Sequence, residues 1–580
     1  MRKNKQKLVL ITLLGVVLLS GCRMPLIGVE DPPAFQEMYV QIQRTLAYSG
    51  TEDDNPAILN TPYQPTDRPL NEEEDDKSNQ IFIQDGLPES LRNLIDKTDY
   101  SISDSMTDVD IQILINPEES SPNAILASEW LYVLAAPFYT ITDNISFENL
   151  RTLWQGEQNS IQGFSKILVT EPTHAALNAI LGKADQNNIE IVNNEEMISK
   201  SLGKEQVLFI TPFEELDKVM KVIRIDGKSP IDSDFEKKEY PLSAAIWIAS
   251  DTPDSNIHLP ASNFDPGQRT VLIMTGVTAL TRATAHRMEI NGNEFPGKDV
   301  RDWLISADLT HISNEVPFAS NCPPPDPNQP DLIFCSSPDR IELLEYIGAD
   351  IIELTGNHLL DYGLASINLT LEMYEERDWH YYAGGWNLNE AQTPSLITHN
   401  NNKLAFIGCN PVGPPNVWAT NTSPGATPCG DFRWMIEEIE DLKAEGYLPI
   451  VTMQYAEDYT DYPSGKMVSD FEMLANAGAI VVNGSQAHTP KMMAFKGESF
   501  IHYGLGNLFF DQMEVYYGEV YMPNTREEFI DRFVFYDGEL ISIELLTAML
   551  EDYARPRPMT ESERTSFLSR IFSTAINFGR

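Results

Sequence analysis

The sequence predicts an α/β protein with two globular domains, and three features carry this prediction. Its 580 residues exceed the roughly 100–200 residues of one domain. Hydrophobic residues make up 42% of the chain, enough to fill more than one core. Short β-rich runs alternate with amphipathic stretches, as strands and helices do in α/β folds. A Pro-, Asn- and Asp-rich segment, residues 251–268, separates two such regions, and we place the domain boundary at residue 265.

The charge and cysteine content exclude two classes of protein. Lys and Arg number 41 and Asp and Glu 86, which gives a net charge of −45. Such a field repels polyphosphate, so we expect no nucleic-acid partner. Five cysteines without a CxxC pair or a Cys/His cluster predict neither a disulfide scaffold nor a structural zinc site.

Residues 1–22 are predicted to be a secretory signal. Four basic residues precede an apolar stretch, residues 8–19, that is too short to span a bilayer of about 30 Å as a mature helix. The signal ends in Leu19-Ser20-Gly21-Cys22, which resembles the lipobox of bacterial lipoproteins. The resemblance implies a lipid on Cys22 and a location on the extracytoplasmic face of the cell membrane. An ordinary signal peptide with an incidental cysteine is the alternative.

Residues 23–80 are predicted to be an acidic tether. Acidic runs at residues 52–54 and 72–76 stand among few apolar residues, so the segment repels itself and extends. It would hold the globular body away from the membrane.

Four cysteines remain after Cys22, an even number in an oxidising compartment. Two local disulfides, Cys322–Cys335 and Cys409–Cys429, would each close a Pro-rich loop. Four free thiols are the alternative.

Residues 81–265 form the first predicted α/β domain. The stretch Trp130–Gly156 (WLYVLAAPFYTITDNISFENLRTLWQG) looks like a segment of periplasmic solute-binding proteins of the phosphate-binding type. Within it, Ser146 is placed to cap a helix whose apolar face includes Leu150 and Trp154. The resemblance implies a solute-binding-protein-like fold. Since no phosphate-cradling loop stands out, a scaffold domain without ligand is an alternative to a working receptor.

Six motifs in the second predicted domain, residues 266–580, carry the sharpest signal. Each places polar residues after an apolar run, where a strand is predicted to end. They are residues 275–278 (TGVT), 308–317 (DLTHISNEVP), 355–363 (TGNHLLDYG), 453–459 (MQYAEDY), 482–490 (VNGSQAHTP) and 501–511 (IHYGLGNLFFD). In this order they resemble the capsule-synthesis protein CapA family, associated with poly-γ-glutamate capsules and built on a calcineurin-like metallophosphatase fold. The resemblance implies a metallophosphatase-like α/β sandwich.

The same resemblance implies a two-metal site, and the chain departs from it at three positions. In such sites Asp, Asn and His at strand ends hold two ions about 3.5–4 Å apart. Where the family usually has an Asp after the first strand, this chain has Val277, and two usual His positions are Gln454 and Gln486. Valine cannot bind a metal, and an amide binds divalent ions less well than imidazole. We therefore expect no dinuclear centre and no two-metal phosphoesterase, while one divalent metal remains open.

A polar constellation survives these losses. A histidine with a carboxylate orienting its second nitrogen can serve as a general acid or base. The alternatives are a helix-capping loop for Asn357 and His358, a surface histidine for His488, and solvated loop residues for the carboxylates. The predicted catalytic residues are His358, Asp361 and His488; the predicted ligand-binding residues are Asn314, Glu315, Asn357, Glu457, Asp458 and Asn507; the candidate metal ligands are Asn357, His358 and His488.

These observations lead to three functional hypotheses. The first is a CapA-type surface lipoprotein of capsule or extracellular polymer biogenesis, which binds a polymer or a lipid-linked intermediate in a degenerate metallophosphatase-like cleft. The second is a hydrolase of a phosphoester, amide or glycosidic bond, acting through one metal or the His/carboxylate pair. The third is a receptor whose ligand specificity resides in the first domain.

Overall fold

A computed structural model of the protein describes residues 79–117, 123–250, 257–513 and 523–578. Lys77–Arg580 form one compact unit that contains both predicted α/β domains. The predicted signal, Cys22 and nearly all of the predicted tether lie outside the described residues. Among the described residues, no helix combines the length and apolar character needed to cross a membrane.

The first region is built around one mixed sheet with the strand order β2-β1-β3-β11-β4-β8-β6-β7, and β9 also pairs with β4. Strands β5 and β10 form a separate parallel ribbon. The strands are β1 (Gln80–Ile83), β2 (Ser101–Ser103), β3 (Ile111–Ile115), β4 (Ala124–Pro137), β5 (Asn144–Ile145), β6 (Ile167–Val169), β7 (Ile189–Ile191), β8 (Leu208–Pro212), β9 (Met220–Val222), β10 (Arg224–Ile225) and β11 (Ser243–Ser250).

Four helices described in this region accompany the sheet. They are α1 (Glu89–Ile95), α2 (Phe147–Trp154), α3 (Glu171–Leu181) and α4 (Asn194–Ser201). The predicted cap of α2 is confirmed, since Ser146 Oγ accepts a hydrogen bond from the Asn149 backbone N–H at 3.2 Å. Leu150, Leu153 and Trp154 of this helix are fully buried, as its apolar spacing predicts.

The second region contains two sheets. The first has the order β15-β14-β13-β12-β25-β26-β27, with β24 beside β12; the second has the order β17-β18-β20-β21-β23-β22; β16 and β19 form a short ribbon. The strands are β12 (Arg269–Thr278), β13 (Leu309–Asn314), β14 (Ile351–Glu353), β15 (His380–Tyr382), β16 (Gly384–Gly385), β17 (Ser395–His399), β18 (Asn402–Cys409), β19 (Gly425–Ala426), β20 (Leu448–Met453), β21 (Val481–Asn483), β22 (Met493–Lys496), β23 (Ser499–His502), β24 (Asn507–Phe509), β25 (Glu527–Tyr536), β26 (Glu539–Glu551) and β27 (Arg555–Pro558).

The two sheets of the second region pack face to face and carry helices outside. Met274 of β12, Phe406 of β18 and Phe533 of β25 share one core between the sheets. The neighbouring Ile273 of β12 points to the opposite face and packs in a second core with Leu371. The helices are α5 (Arg282–Asn291), α6 (Arg301–Leu304), α7 (Glu342–Tyr346), α8 (Leu364–Glu375), α9 (Leu388–Gln392), α10 (Arg433–Ala444), α11 (Gly465–Ala477) and α12 (Glu561–Phe578). The predicted α/β class and the α/β sandwich of the second region are confirmed.

Buried charges join the two regions at a seam. Asp232 of the first region accepts hydrogen bonds from Arg224 at 2.7 Å and from Arg532 at 3.0 Å, and both arginines also pair with Glu544 of β26. Burial alone would raise the pKa of Glu544, but the two guanidinium groups hold it well below its ordinary value. The predicted boundary at residue 265 lies between β11 and β12 and stays a prediction.

Both predicted disulfides are present, so the alternative of four free thiols is wrong in this structure. Cys322 is bonded to Cys335, and Cys409 is bonded to Cys429. The first closes the loop between β13 and α7, and the second ties the end of β18 to the segment before α10.

Candidate functional site

The candidate site lies where the parallel strands of the second region end. Strands β12, β13 and β14 run parallel in one sheet, and β18, β20, β21 and β23 run parallel in the other. Their carboxyl ends therefore meet at one edge of each sheet, where loops can bring polar side chains together. Glu315 follows β13, His358 follows β14, Glu457 follows β20 and His488 follows β21.

The contacts of His488 decide its charge. Its Nδ1–H donates to Asn507 Oδ1 at 2.9 Å, and its Nε2 lies 3.4 Å from Glu457 Oε1 and 3.8 Å from Glu315 Oε1. Burial alone would lower the pKa of this imidazole, but the charge of Glu315 and the hydrogen bond to Glu457 outweigh burial and raise it to about 9. His488 is therefore an imidazolium at neutral pH.

Glu457 holds the complementary charge. The hydrogen bond from His488 is the largest influence on this carboxyl, and with the Tyr459 hydroxyl at 3.0 Å it lowers the pKa to about 2. Glu457 and His488 line a narrow pocket of about 10 Å³, room for about one water molecule. A charged pair and a water-sized space thus stand side by side.

His358 and Asp361 form a second pair. The Nδ1–H of His358 donates to Asp361 Oδ2 at 2.7 Å. Burial opposes protonation of this imidazole, but the hydrogen bond to Asp361 and the charge of Glu315 raise its pKa, while the charge of His488 lowers it. The influence of Glu315 and His488 means that the two histidines share one electrostatic environment. Within the described residues, Nε2 of His358 makes no hydrogen bond, so it remains available to a ligand.

Glu315 lies at the base of this arrangement. It is 1% exposed, and both of its carboxylate oxygens are buried without a hydrogen-bond partner among the described residues. A buried carboxylate without donors is costly, so such a group indicates water or a ligand that completes it. The nearest opposite charge is the imidazolium of His488.

The other predicted ligand-binding residues are engaged by the fold. Asn314 donates to the backbone oxygen of Val316 and to the Tyr374 hydroxyl, both at 2.8 Å. Asp458 forms an ion pair with Lys491, a lysine that is 2% exposed. Asn507 is fully buried behind His488 and orients its ring. The structure brings His358, His488, Glu315 and Glu457 together; the amide of Asn314 is turned toward helix α8 instead.

The side chains at these positions do not fit the two-metal centre that the CapA-type resemblance implies. Val277 is fully buried in an apolar cluster with Val316, Phe334 and Phe510, where a metal would find no ligand. Gln454 donates to Asn357 Oδ1 and accepts from Asn410 Nδ2, both at 2.8 Å, and Gln486 donates to Ser313 Oγ.

The side-chain N–H groups of Gln454 and Gln486 are therefore already used in hydrogen bonds within the protein. Across the described ranges, no group of three or more His, Cys, Asp and Glu side chains has a geometry that could hold a metal ion. Binding of one metal by Asn357, His358 and His488 stays a prediction, with the oxygen of Asn357 already engaged by Gln454.

Two aromatic rings and an arginine beside the site were not predicted from the sequence. The Phe334 ring lies 4.5 Å from the His358 ring, and the Phe510 ring lies 5.1 Å from the His488 ring. The Arg282 guanidinium lies 4.9 Å from each phenyl ring and pairs with Asp511. Only the proximity of phenylalanines to the motifs could have indicated them.

A second polar layer lies between the sheets. Nε2 of His311 is 2.8 Å from the Tyr382 hydroxyl, which is 2.9 Å from the Thr452 hydroxyl. Burial lowers the pKa of His311 to about 3 and raises that of Glu353, which lies 3.7 Å from it. His311 is therefore neutral and distinct in charge from His488.

Comparison with known proteins supports the resemblance carried by the six motifs. The family described as "Bacterial capsule synthesis protein PGA_cap" matches residues 271–512. The chain is 21% identical over 279 residues to "Capsule biosynthesis protein CapA" of Bacillus anthracis, covering 47% of this chain and 67% of that protein. It is 23% identical over 175 residues to "PGA biosynthesis protein CapA" of Bacillus subtilis, covering 30% of this chain and 46% of that protein.

The chain thus spans about two thirds of the first relative and less than half of the second. The predicted CapA-type resemblance is confirmed over residues 271–512, which include every motif from the strand β12 to Asp511.

A solved structure also resembles part of the chain. It is an ABC-type phosphate transport receptor from Vibrio cholerae, with 13% identity, a TM-score of 0.26, and coverage of 30% of this chain and 88% of the receptor.

Proposed function

We propose, for a chain whose residues 271–512 match the capsule synthesis family, that the protein acts in capsule or extracellular polymer biogenesis and binds a polymer or a lipid-linked intermediate at the strand-end site. The observation that carries the proposal is that charged side chains meet at the strand-end site, while the position of one expected metal ligand is apolar. An apolar cluster surrounds Val277, while the His488 imidazolium stands beside Glu315 and Glu457. Such a site would bind its ligand through hydrogen bonds from and to charged groups, without two metal ions.

The available donor of the site is His358. Its Nδ1–H is held by Asp361, and its Nε2 is the second ring nitrogen, which takes no part in that contact. A ligand amide or carboxylate oxygen can accept from this nitrogen when the ring is protonated. The site therefore suits a polymer whose repeating unit offers oxygen acceptors, as poly-γ-glutamate does.

A hydrolase is the second candidate, and the His358–Asp361 hydrogen bond favours it. A carboxylate that orients an imidazole is the arrangement of a general base, and the space beside Glu457 and His488 holds about one water. Neutral His358 would take a proton from a water molecule bound beside its Nε2, and the His488 imidazolium would give one to the leaving group. Because the pKa of His358 is raised, activity would rise on the alkaline side, where this imidazole loses its proton and can act as a base. Because the pKa of His488 is raised to about 9, activity would fall above pH of about 9, where this imidazole loses the proton that it gives to the leaving group.

Membrane anchoring is part of the proposal. Cys22 follows Leu19-Ser20-Gly21, so a lipid on Cys22 would hold the body on the extracytoplasmic face. Cys22→Ser should release the protein from the membrane fraction and abolish fatty-acid labelling. Unchanged fractionation of the variant would contradict the anchor.

Binding to poly-γ-glutamate tests the main proposal. Calorimetry on the purified protein should show binding that His358→Gln weakens by about tenfold, since one charged hydrogen bond is lost. His380→Gln is the matched control, because His380 lies exposed on β15. Cleavage of the polymer by the same sample would favour the hydrolase, and metal analysis tests the expected lack of a two-metal centre. Two equivalents of Mn, Fe or Zn per chain, or turnover that requires them, would overturn the proposal.

A further inference from the structure

A cavity of about 700 Å³ lies at the seam between the two regions. Its walls come from the first region, from helix α6, from strand β26 and from helix α12. Ligand cavities commonly measure about 300–1,000 Å³ and often lie between domains. None of its lining residues belongs to the strand-end site, so the cavity is a separate feature.

The arginines of this cavity are already neutralised. Arg224 and Arg532 pair with Asp232 and Glu544, and Arg564 pairs with Asp143 at 2.8 Å. An anionic ligand would have to displace one of these carboxylates from its guanidinium group. The cavity is therefore unsuited to phosphate or to a polyanion.

Two carboxylates of the wall are unpaired. Asp234 and Asp302 are exposed, line the cavity, and form neither an ion pair nor a side-chain hydrogen bond with any described residue. Five carboxylates and three guanidinium groups line the cavity, and Lys221, which does not line it, pairs with Asp143 at 2.7 Å. The lining carboxylates left without an ion pair are those of Asp234 and Asp302, and the charge of Asp234 also acts on Arg269. In a chain of net charge −45, the overall field also concentrates cations.

The remaining wall is apolar and includes an aromatic ring. Trp303 is half-buried beside Asp302, and Ile305 is 43% exposed. Leu546 and Met559 extend this wall. Indole faces attract ammonium groups, and the aliphatic side chains can cover a methylene chain.

We propose that the seam cavity binds an aliphatic primary amine. Its ammonium group pairs with Asp302 and Asp234 and lies against the Trp303 ring, while its methylene chain packs on Ile305, Leu546 and Met559. The same chemistry is offered by a free diamine and by an amine carried on an envelope polymer. This site is independent of the proposed polymer site.

Three probes of equal chain length isolate the charge that is recognised. Calorimetry on the purified protein should show binding of 1,5-diaminopentane, and no binding of 1,5-pentanediol or glutarate at the same concentration. A lysine trimer serves as the polymer-borne amine, because each side chain carries a primary amine on a methylene chain. Tighter binding of the trimer than of the diamine assigns the site to a polymer, and the reverse assigns it to a free diamine.

Variants locate the binding in the cavity. Asp302→Asn and Asp234→Asn should each weaken diaminopentane binding by about 2- to 5-fold, as expected for exposed charge pairs. Trp303→Leu, which keeps an apolar side chain, should weaken it by about 5-fold. Asp331→Asn is the control, since Asp331 is exposed on the Cys322–Cys335 loop. No binding of diaminopentane, equal binding of the diol, or equal losses in the control variant would overturn the proposal.

Discussion

Phe334 and His358 donate hydrogen bonds to the same oxygen atom. The Phe334 backbone N–H and the His358 Nδ1–H each lie 2.7 Å from Asp361 Oδ2. Since Phe334 precedes Cys335, the disulfide-closed loop supplies both a donor to Asp361 and a ring that covers His358. The loop therefore fixes the orientation of the imidazole.

The first prediction concerns the charge of Asp361. Asp361→Asn keeps an oxygen that accepts from the Phe334 N–H but removes the negative charge beside His358. Because the hydrogen bond to Asp361 is what most raises the pKa of His358, the variant should lower it. A proton NMR titration of the imidazole measures the change. Asp326→Asn, an exposed change on the Cys322–Cys335 loop, should leave the His358 titration unaltered. An unchanged pKa of His358 in Asp361→Asn would refute the His358–Asp361 pair.

The second prediction concerns the Cys322–Cys335 disulfide. Replacing both cysteines by Ser should lower the free energy of unfolding by about 3 kcal/mol, as the chain-entropy model gives for a loop of this length. It should also speed hydrogen exchange at the Phe334 amide, because the loop no longer holds this donor on Asp361.

Replacement of Cys409 and Cys429 is the matched control. It should cost a similar stability by the same argument while the Phe334 amide stays protected. Equal exchange at this amide in both double variants would show that the first disulfide does not hold the loop on Asp361.

The third prediction concerns His488. Glu315→Gln removes the leading attraction that raises the pKa of His488, so the titration should move from about 9 toward 6.5. Glu437→Gln, an exposed change on α10, should have no effect. A titration already near 6.5 in the unaltered protein would contradict the charged site.

The ion pair between His488 and Glu457 predicts how the stability of the protein depends on pH. The pKa of His488 is raised on folding, so its contribution is complete below pH 6.5 and is lost as the pH rises toward 9. The pKa of Glu457 is lowered, so its contribution is present above pH 4.5 and is lost as the pH falls toward 2. Urea unfolding should therefore show the largest stabilisation by the pair between pH 4.5 and 6.5, with screening at the 42% exposed Glu457 reducing it.

The fourth prediction rebuilds the family's ligand set. Val277→Asp alone should destabilise by about 3 kcal/mol or more, because it places an unpaired charge in an apolar cluster. Val277→Asp combined with Gln454→His and Gln486→His should regain stability when Mn²⁺ or Zn²⁺ is added, since metal binding neutralises that charge. Thermal unfolding with and without metal tests this. A triple variant indifferent to metal would show that these positions do not converge.

The strand-end loops could be predicted from sequence because apolar runs followed by polar motifs repeat along the chain. The Ser146 cap and the two disulfides follow from local patterns of the same kind. The contact between Glu315 and His488 could not be predicted, since these residues come from different sheets and meet only through the sandwich. For the same reason the sequence does not distinguish Asn314, held by Tyr374, from a ligand-binding asparagine.

The seam could not be predicted either. Alternating strands and helices indicate where an α/β region lies, but not which of its surface charges become buried against a neighbour. Arg224 and Glu544 are 320 residues apart, and neither stands in a motif. Their pairing depends on the packing of the two regions, which hydrophobic periodicity does not encode.

Helix α12 has a consequence for the order in which this protein matures. Its Arg564 pairs with Asp143, 421 residues earlier, and its Arg570 pairs with Asp461 and Glu527. While the chain is being made, these acidic partners emerge before their arginines. The pairing of both regions with this helix must therefore wait until residues 561–578 have emerged. Before then, among the described residues, Asp143 has only Lys221 as an ion-pair partner, and Asp461 has none.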